Sequence, residues 1–389
     1  MLPFLRTFAL TSKHTDTTNM NARELKALGT LIGLTIGAGV LAIPYVIAQA
    51  GFFTGIFVLI VLGLFTLLMN LYLGEITLRT KGRHQLPGYI EKYLGKKAKT
   101  LMSISLLLSI YGALTAYIIG EGQAWSAMFP ISPLYPMLLF FLFMGYAVWK
   151  GLAFIETMEL CLNCIVIGVL VLIILLSVHA IDFSNFTGFE TKNILIPYGV
   201  ILFALGGAAA IPDVRVELEK NKALLKRTII LGSIIPLVLY LLFAIVVVGV
   251  TGTQTTELAT IGLGTVLGPH ILFLGNFFAA FAMATSFLLL ALALLWVYQC
   301  DYKIKKLHAF LLTMILPLVL ALSGFVHFIQ ILGITGAIAG GVQGILIVLA
   351  HRQAQRKSER KAEYSIRNSL PLSLALIVLY IVGILYVLL

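Results

Sequence analysis

Eleven apolar runs, most of them about 20 residues or longer, recur along the chain at 25–50, 53–78, 100–128, 133–149, 155–179, 194–218, 228–251, 269–299, 307–324, 328–350 and 369–389. A bilayer core of about 30 Å is crossed by about 20 residues of α-helix, whereas a membrane β-strand needs only about 10. In lipid each backbone amide must find its partner inside the protein, so runs of this length specify helices. The expectation is an all-α polytopic membrane protein with 11 transmembrane helices, the fourth short and soft-ended. The chain has 389 residues, 60% of them hydrophobic and 11% charged, against about 25% charged in soluble domains. That excludes a soluble enzyme, a disordered chain and a coiled coil.

The runs leave no room for a separate soluble domain. The polar segment 1–22 reads as a cytoplasmic tail rather than a cleaved signal. Residues 23–350 form the core, and 351–389 an inner loop with the eleventh helix. The net charge of +11 points to loops facing anionic lipid headgroups rather than to nucleic acid. With the N-terminus inside, every Lys and Arg except Lys192 falls on an inner segment. This bias predicts a multi-pass cell-membrane protein, N-terminus cytoplasmic and C-terminus extracytoplasmic. Three cysteines make no disulfide framework and read as packing residues, Cys161 and Cys164 among them.

A short motif occurs twice. The first run holds Gly39-Val40-Leu41-Ala42-Ile43-Pro44 and the sixth Gly207-Ala208-Ala209-Ala210-Ile211-Pro212, both G-x-x-A-I-P, each preceded by further small residues (Gly37 and Ala38; Gly206). Five runs separate the copies, so the second is inverted in the membrane. The repeats are about 23–180 and 193–350. Gly and Pro weaken helix propagation by about 1 and 3 kcal/mol, and an unwound stretch survives in lipid only where something polar satisfies it. Half-helix N-termini suit a carboxylate and freed carbonyls suit a cation. Two facing breaks therefore suit a zwitterion together with a cation. Close helix packing on small residues is the plainer alternative.

At these residues the chain resembles the amino acid/auxin permease branch of the amino acid–polyamine–organocation superfamily, and within it the bacterial tyrosine/tryptophan permeases. The stretch from Gly29-Thr30 through Ile36 to Pro44 carries the resemblance. Ala116-Tyr117-Ile118-Ile119-Gly120, Gly206-Gly207 with Ala210-Ile211-Pro212, and Thr285-Ser286-Phe287-Leu288 support it. The resemblance implies a LeuT-type fold, a 5+5 inverted repeat with broken helices 1 and 6. It implies a secondary active transporter, a cation-coupled (Na⁺ or H⁺) amino acid symporter working by alternating access. The expected partners are an amino acid and the lipid bilayer. No cofactor is expected beyond a possible Na⁺ as coupling ion. A membrane amino-acid sensor, or an exchanger without cation coupling, is the alternative.

By that resemblance the substrate-binding candidates are Gly37, Ala38 and Gly39 in the first break and Phe203, Gly206, Gly207 and Ala208 around the second, with Phe203 as an aromatic gate. The matching sodium positions are Gly33, Ile36, Ala282, Thr285 and Ser286. Hydroxyls in a helix also cap the carbonyl four residues back, which is the plainer reading of Thr285 and Ser286. Related permeases tend to carry a basic residue where this chain has Asn163, a departure that weakens proton coupling.

Two candidates come from depth alone. Tyr111 lies about 16 Å into the third run, where it could meet a substrate carboxylate, a broken-helix carbonyl or simply a neighbouring helix. Glu121 lies in the outer third of the same run between Gly120 and Gly122, a proton-coupling candidate or a solvated vestibule residue. Glu75, Glu156, Glu159 and Asp213 lie near basic residues at run ends and read as salt-bridge or interface groups. Segment 85–97 is amphipathic, an inner-surface gate element or a basic connector. No phosphate-loop or H-E-x-x-H pattern occurs, so no motor or enzyme is expected.

Overall fold

The computed structural model describes residues 20–151, 154–300, 302–367 and 369–389. The regular structure of the described residues is all helical, without strands. The first run is broken: α1 (Met20–Thr35) and α2 (Gly39–Ala50) meet at 51°. Then follow α3 (Phe52–Arg79), the short α4 (Leu86–Leu94), α5 (Lys96–Met128), α6 (Leu134–Lys150) and α7 (Phe154–Ser177). The sixth run is also broken, into α8 (Tyr198–Ala204) and α9 (Ile211–Glu217), with a 3₁₀ turn at Ala208–Ala210 between them. The rest is α10 (Leu225–Thr251), α11 (Ala259–Leu267), α12 (Pro269–Cys300), α13 (Lys306–Leu322), α14 (Phe328–Thr335), α15 (Gly341–Arg356) and α16 (Leu370–Leu388).

Each of the eleven runs thus falls on a helix or a broken pair. Eight helical stretches are long and apolar enough to cross a bilayer, the α1–α2 pair passes as one bent span, and α6 and α13 are shorter apolar helices. Between α14 and α15 the helix widens into one π-turn, Gly336–Gly340, where close approach by α8 is the reason for glycine. A Cβ on Gly336 would lie 1.9 Å from the Gly199 carbonyl oxygen.

The segment 85–97 is more than a connector. Pro87 opens α4, and Leu86, Tyr89, Ile90 and Tyr93 share one buried face, the i, i+3, i+4, i+7 spacing of an amphipathic helix. That face packs on α5 and α15. The linker 357–369 is likewise docked. The buried Glu75 carboxylate accepts hydrogen bonds from Arg79 Nε (2.7 Å), Ser365 Oγ (2.9 Å) and Ile366 N–H (2.6 Å), and His351 Nε2 stands 2.9 Å away. Asp213 pairs with Gln85 Nε2 at 3.4 Å rather than with a basic residue. The side chains of Glu156 and Glu159 lie outside the described residues, as does nearly all of the 1–22 tail. Cys164 is exposed rather than packed; the Cys161 and Cys300 side chains are not among those described.

Candidate functional site

The two breaks face one another. Between Thr35 and Gly39 the helical ladder gives way to tight turns, with Gly37 N–H donating to Thr35 O at 3.1 Å. The second break repeats this, Gly207 N–H donating to Leu205 O at 2.8 Å. Their glycines are required by contact across the gap. A Cβ on Gly39 would lie 2.6 Å from Ala204 Cα, and one on Gly207 2.6 Å from Thr35 Oγ1. At Gly39 the obstacle is backbone, and at Gly207 the Thr35 side chain would have to move.

A side chain that sequence reasoning passed over joins them. Tyr240 of α10, fully buried, donates to Thr35 O at 2.7 Å and has Ala204 O at 3.3 Å. Both carbonyls end a half-helix, outside its regular ladder of amide donors. Tyr240 is the sole tyrosine of an apolar helix, and that was the available signal. On the third side, a Cβ on Gly37 would lie 3.3 Å from Tyr117 Oη and 3.5 Å from Ser286 Oγ, and the Tyr117 hydroxyl bonds to Ser286. Ala38 is buried beside Gly37, Ala208 is half-buried, and Gly206 is exposed. Phe203, half-buried, is the penultimate residue of α8, just before the break.

Tyr111 bonds to neighbouring helices, the plainer of its expected places. Its hydroxyl lies 2.5 Å from Tyr298 Oη and donates to Leu312 O at 3.1 Å. It ties α5 to α12 and α13, away from both breaks, and Tyr117 is the α5 tyrosine that reaches them.

All five sodium candidates border one small cavity. Gly33, Ile36, Ala282, Thr285 and Ser286 line a space of about 10 Å³ together with Asn163, about the size that admits one water-sized particle. Asn163 Nδ2 stands 3.5 Å from Gly29 O. Thr285 Oγ1 donates to the Phe281 and Ala282 carbonyls, both at 3.1 Å, so the capping expected of a helical hydroxyl is present, and its oxygen keeps lone pairs to offer. Glu121 is 2% exposed. One carboxylate oxygen accepts from Trp125 Nε1–H at 3.0 Å, and the other has no partner.

With this geometry in view, the comparisons with known proteins are specific. Residues 23–387 match the tryptophan/tyrosine permease family. The chain belongs to that family. Glutamine transporter 2 of Aliivibrio fischeri is 28% identical over 82% of this chain and 86% of its own. Tyrosine-specific transport system 1 of Haemophilus influenzae is 27% identical over 78% of this chain and 81% of its own. Among solved structures, MhsT in complex with L-phenylalanine superimposes with a TM-score of 0.62 at 16% identity, covering 94% of this permease and 97% of MhsT. The permease has a LeuT-type fold of the amino acid–polyamine–organocation kind, and it is a transporter rather than an enzyme.

Proposed function

We propose that this permease carries an amino acid across the cell membrane by alternating access, with the substrate's ammonium and carboxylate held at the two breaks. One observation carries the reading: matched unwound segments from two inverted halves meet face to face, bridged by Tyr240. The amides opening α2 and the turn before α9 present N–H groups to a carboxylate, and the carbonyls closing α1 and α8 present oxygens to an ammonium. The relatives named for glutamine and tyrosine, and the neighbour holding L-phenylalanine, support an amino acid as the cargo. The basic end, with α4 and the linker 357–369, faces the cytoplasm in this reading.

Sodium is the coupling ion we favour. Backbone oxygens of Gly33, Ile36 and Ala282, with the Thr285 and Ser286 hydroxyls, offer uncharged oxygen ligands around one small cavity. Asn163 places a neutral amide where a basic side chain would supply the positive charge itself. A specific observation favours a second reading, proton coupling at Glu121. A buried carboxylate with one free oxygen is a group to which a transported proton could attach.

Counterflow tests transport without assuming a coupling ion. Proteoliposomes preloaded with unlabelled glutamine, tyrosine, tryptophan or phenylalanine should take up the same labelled amino acid for at least one of the four. Binding of an amino acid without counterflow would instead identify a sensor.

A further inference from the structure

At the basic end, away from both breaks, a cavity of about 360 Å³ opens between three separate segments. The turn after α3 contributes Lys81 and Arg83, the end of α9 and its loop contribute Arg215, Glu219 and Lys222, and the linker before α16 contributes Arg360. Five basic side chains therefore face one carboxylate, and that carboxylate is taken, because Glu219 pairs with Arg83. Arg360 is also engaged, donating to Leu78 O at 2.9 Å and to Glu363 at 2.5 Å.

Arg215 is different. Its side chain is 3% exposed, yet Nε and Nη1 have no hydrogen-bond partner. The carboxylates nearest in sequence are committed elsewhere: Asp213 to Gln85, Glu217 to Lys26 and Thr30, Glu219 to Arg83. The Tyr89 ring beside it is fully buried. A guanidinium cannot shed its proton, so burying these two N–H groups without an acceptor leaves a desolvation cost that a bound anion would offset. The fork of N–H groups matches phosphate oxygens bidentately.

We propose that this cavity is a binding site for a phosphate group, held by Arg215 with Lys81 and Lys222. The site adjoins the basic ends of α3 and α9, at the polar boundary where either a phospholipid headgroup or a free phosphate has access. A phosphate bound there clamps α9, half of a broken span, to the α3 turn and the linker. It therefore lies on an element that alternating access must move.

The test uses the full-length protein, purified in detergent and exchanged to remove lipid. In one arm, thermal unfolding is followed against inorganic phosphate at constant ionic strength. In the other, native mass spectrometry scores retention of phosphatidylglycerol against phosphatidylcholine. Phosphate that raises Tm saturably assigns the site to a free phosphate; selective retention of phosphatidylglycerol assigns it to a headgroup. In either case Arg215→Gln should weaken the response at least tenfold while leaving ligand-free Tm no lower than wild type, because it removes an unpaired buried charge. Lys222→Gln, partly exposed, should weaken it several-fold. No response in either arm, or a response that Arg215→Gln and Lys222→Gln both leave intact, overturns the proposal.

Discussion

The Tyr240 hydroxyl lies 2.7 Å from the Thr35 carbonyl oxygen and 3.3 Å from that of Ala204. One group on α10 thus spans the last carbonyls of two half-helices from opposite repeats. Tyr240→Phe keeps the ring and removes the bridge. A neutral hydrogen bond is worth about 1 kcal/mol net, so substrate affinity should fall roughly five-fold with expression unchanged. Equilibrium binding of the counterflow substrate measures it, and wild-type affinity would detach Tyr240 from the site.

Gly39 and Gly207 are predicted to be irreplaceable for a different reason. Gly39→Leu drives a side chain into Ala204 Cα, and Gly207→Val meets Thr35 Oγ1. Both should reduce binding by at least tenfold. Gly168→Ala is the control, because a Cβ there meets nothing within 4 Å. A matching loss in the control would trace the effect to general misfolding.

The cation cavity yields a paired prediction. Thr285→Ala with Ser286→Ala removes two hydroxyl ligands and should raise the sodium concentration for half-maximal uptake at least tenfold. Asn163→Lys introduces an ammonium beside Gly33 and should make the remaining uptake indifferent to sodium. Titrating sodium against uptake for each variant decides. Unchanged curves would empty the cavity of its assigned role.

Glu121→Gln separates the two coupling schemes. If Glu121 carries the proton, the amide cannot titrate and the pH profile of uptake flattens. If sodium is the sole coupling ion, the profile keeps its shape.

Glu75 anchors the linker to α3 through Arg79, Ser365 and the Ile366 amide. Breaking a buried ion pair costs about 3 kcal/mol or more, roughly a hundredfold in the population of released linker. Glu75→Ala should therefore speed tryptic cleavage at Lys357, Arg360, Lys361 and Arg367. An unchanged cleavage rate would mean that the linker is held by other contacts.

What the sequence made legible follows from the solvent. Lipid forces any long apolar run to be a helix, so the runs located the helices, and G-x-x-A-I-P located both breaks because it recurs at matching places in two inverted halves. Azimuth was not legible. Tyr111 and Tyr117 are six residues apart, about two-thirds of a turn around the helix. The helix α5 is apolar nearly all round, so nothing in it says which face meets the breaks. Depth alone selected Tyr111, and packing selected Tyr117. Tyr240 and the docking of Glu75 on the 357–369 linker were hidden for another reason. They join residues far apart in sequence, and no local pattern encodes the partner. The short α11 was missed because Gly268, at φ 97°, ends it before it reaches the length of a span.

The most direct measurement is uptake of the counterflow substrate into proteoliposomes under an inward sodium gradient alone and then under a proton gradient alone. Accumulation above equilibrium driven by sodium, and abolished in the Thr285→Ala/Ser286→Ala variant, is the predicted result. Accumulation driven by protons alone and insensitive to those substitutions would contradict the sodium assignment and move the coupling to Glu121.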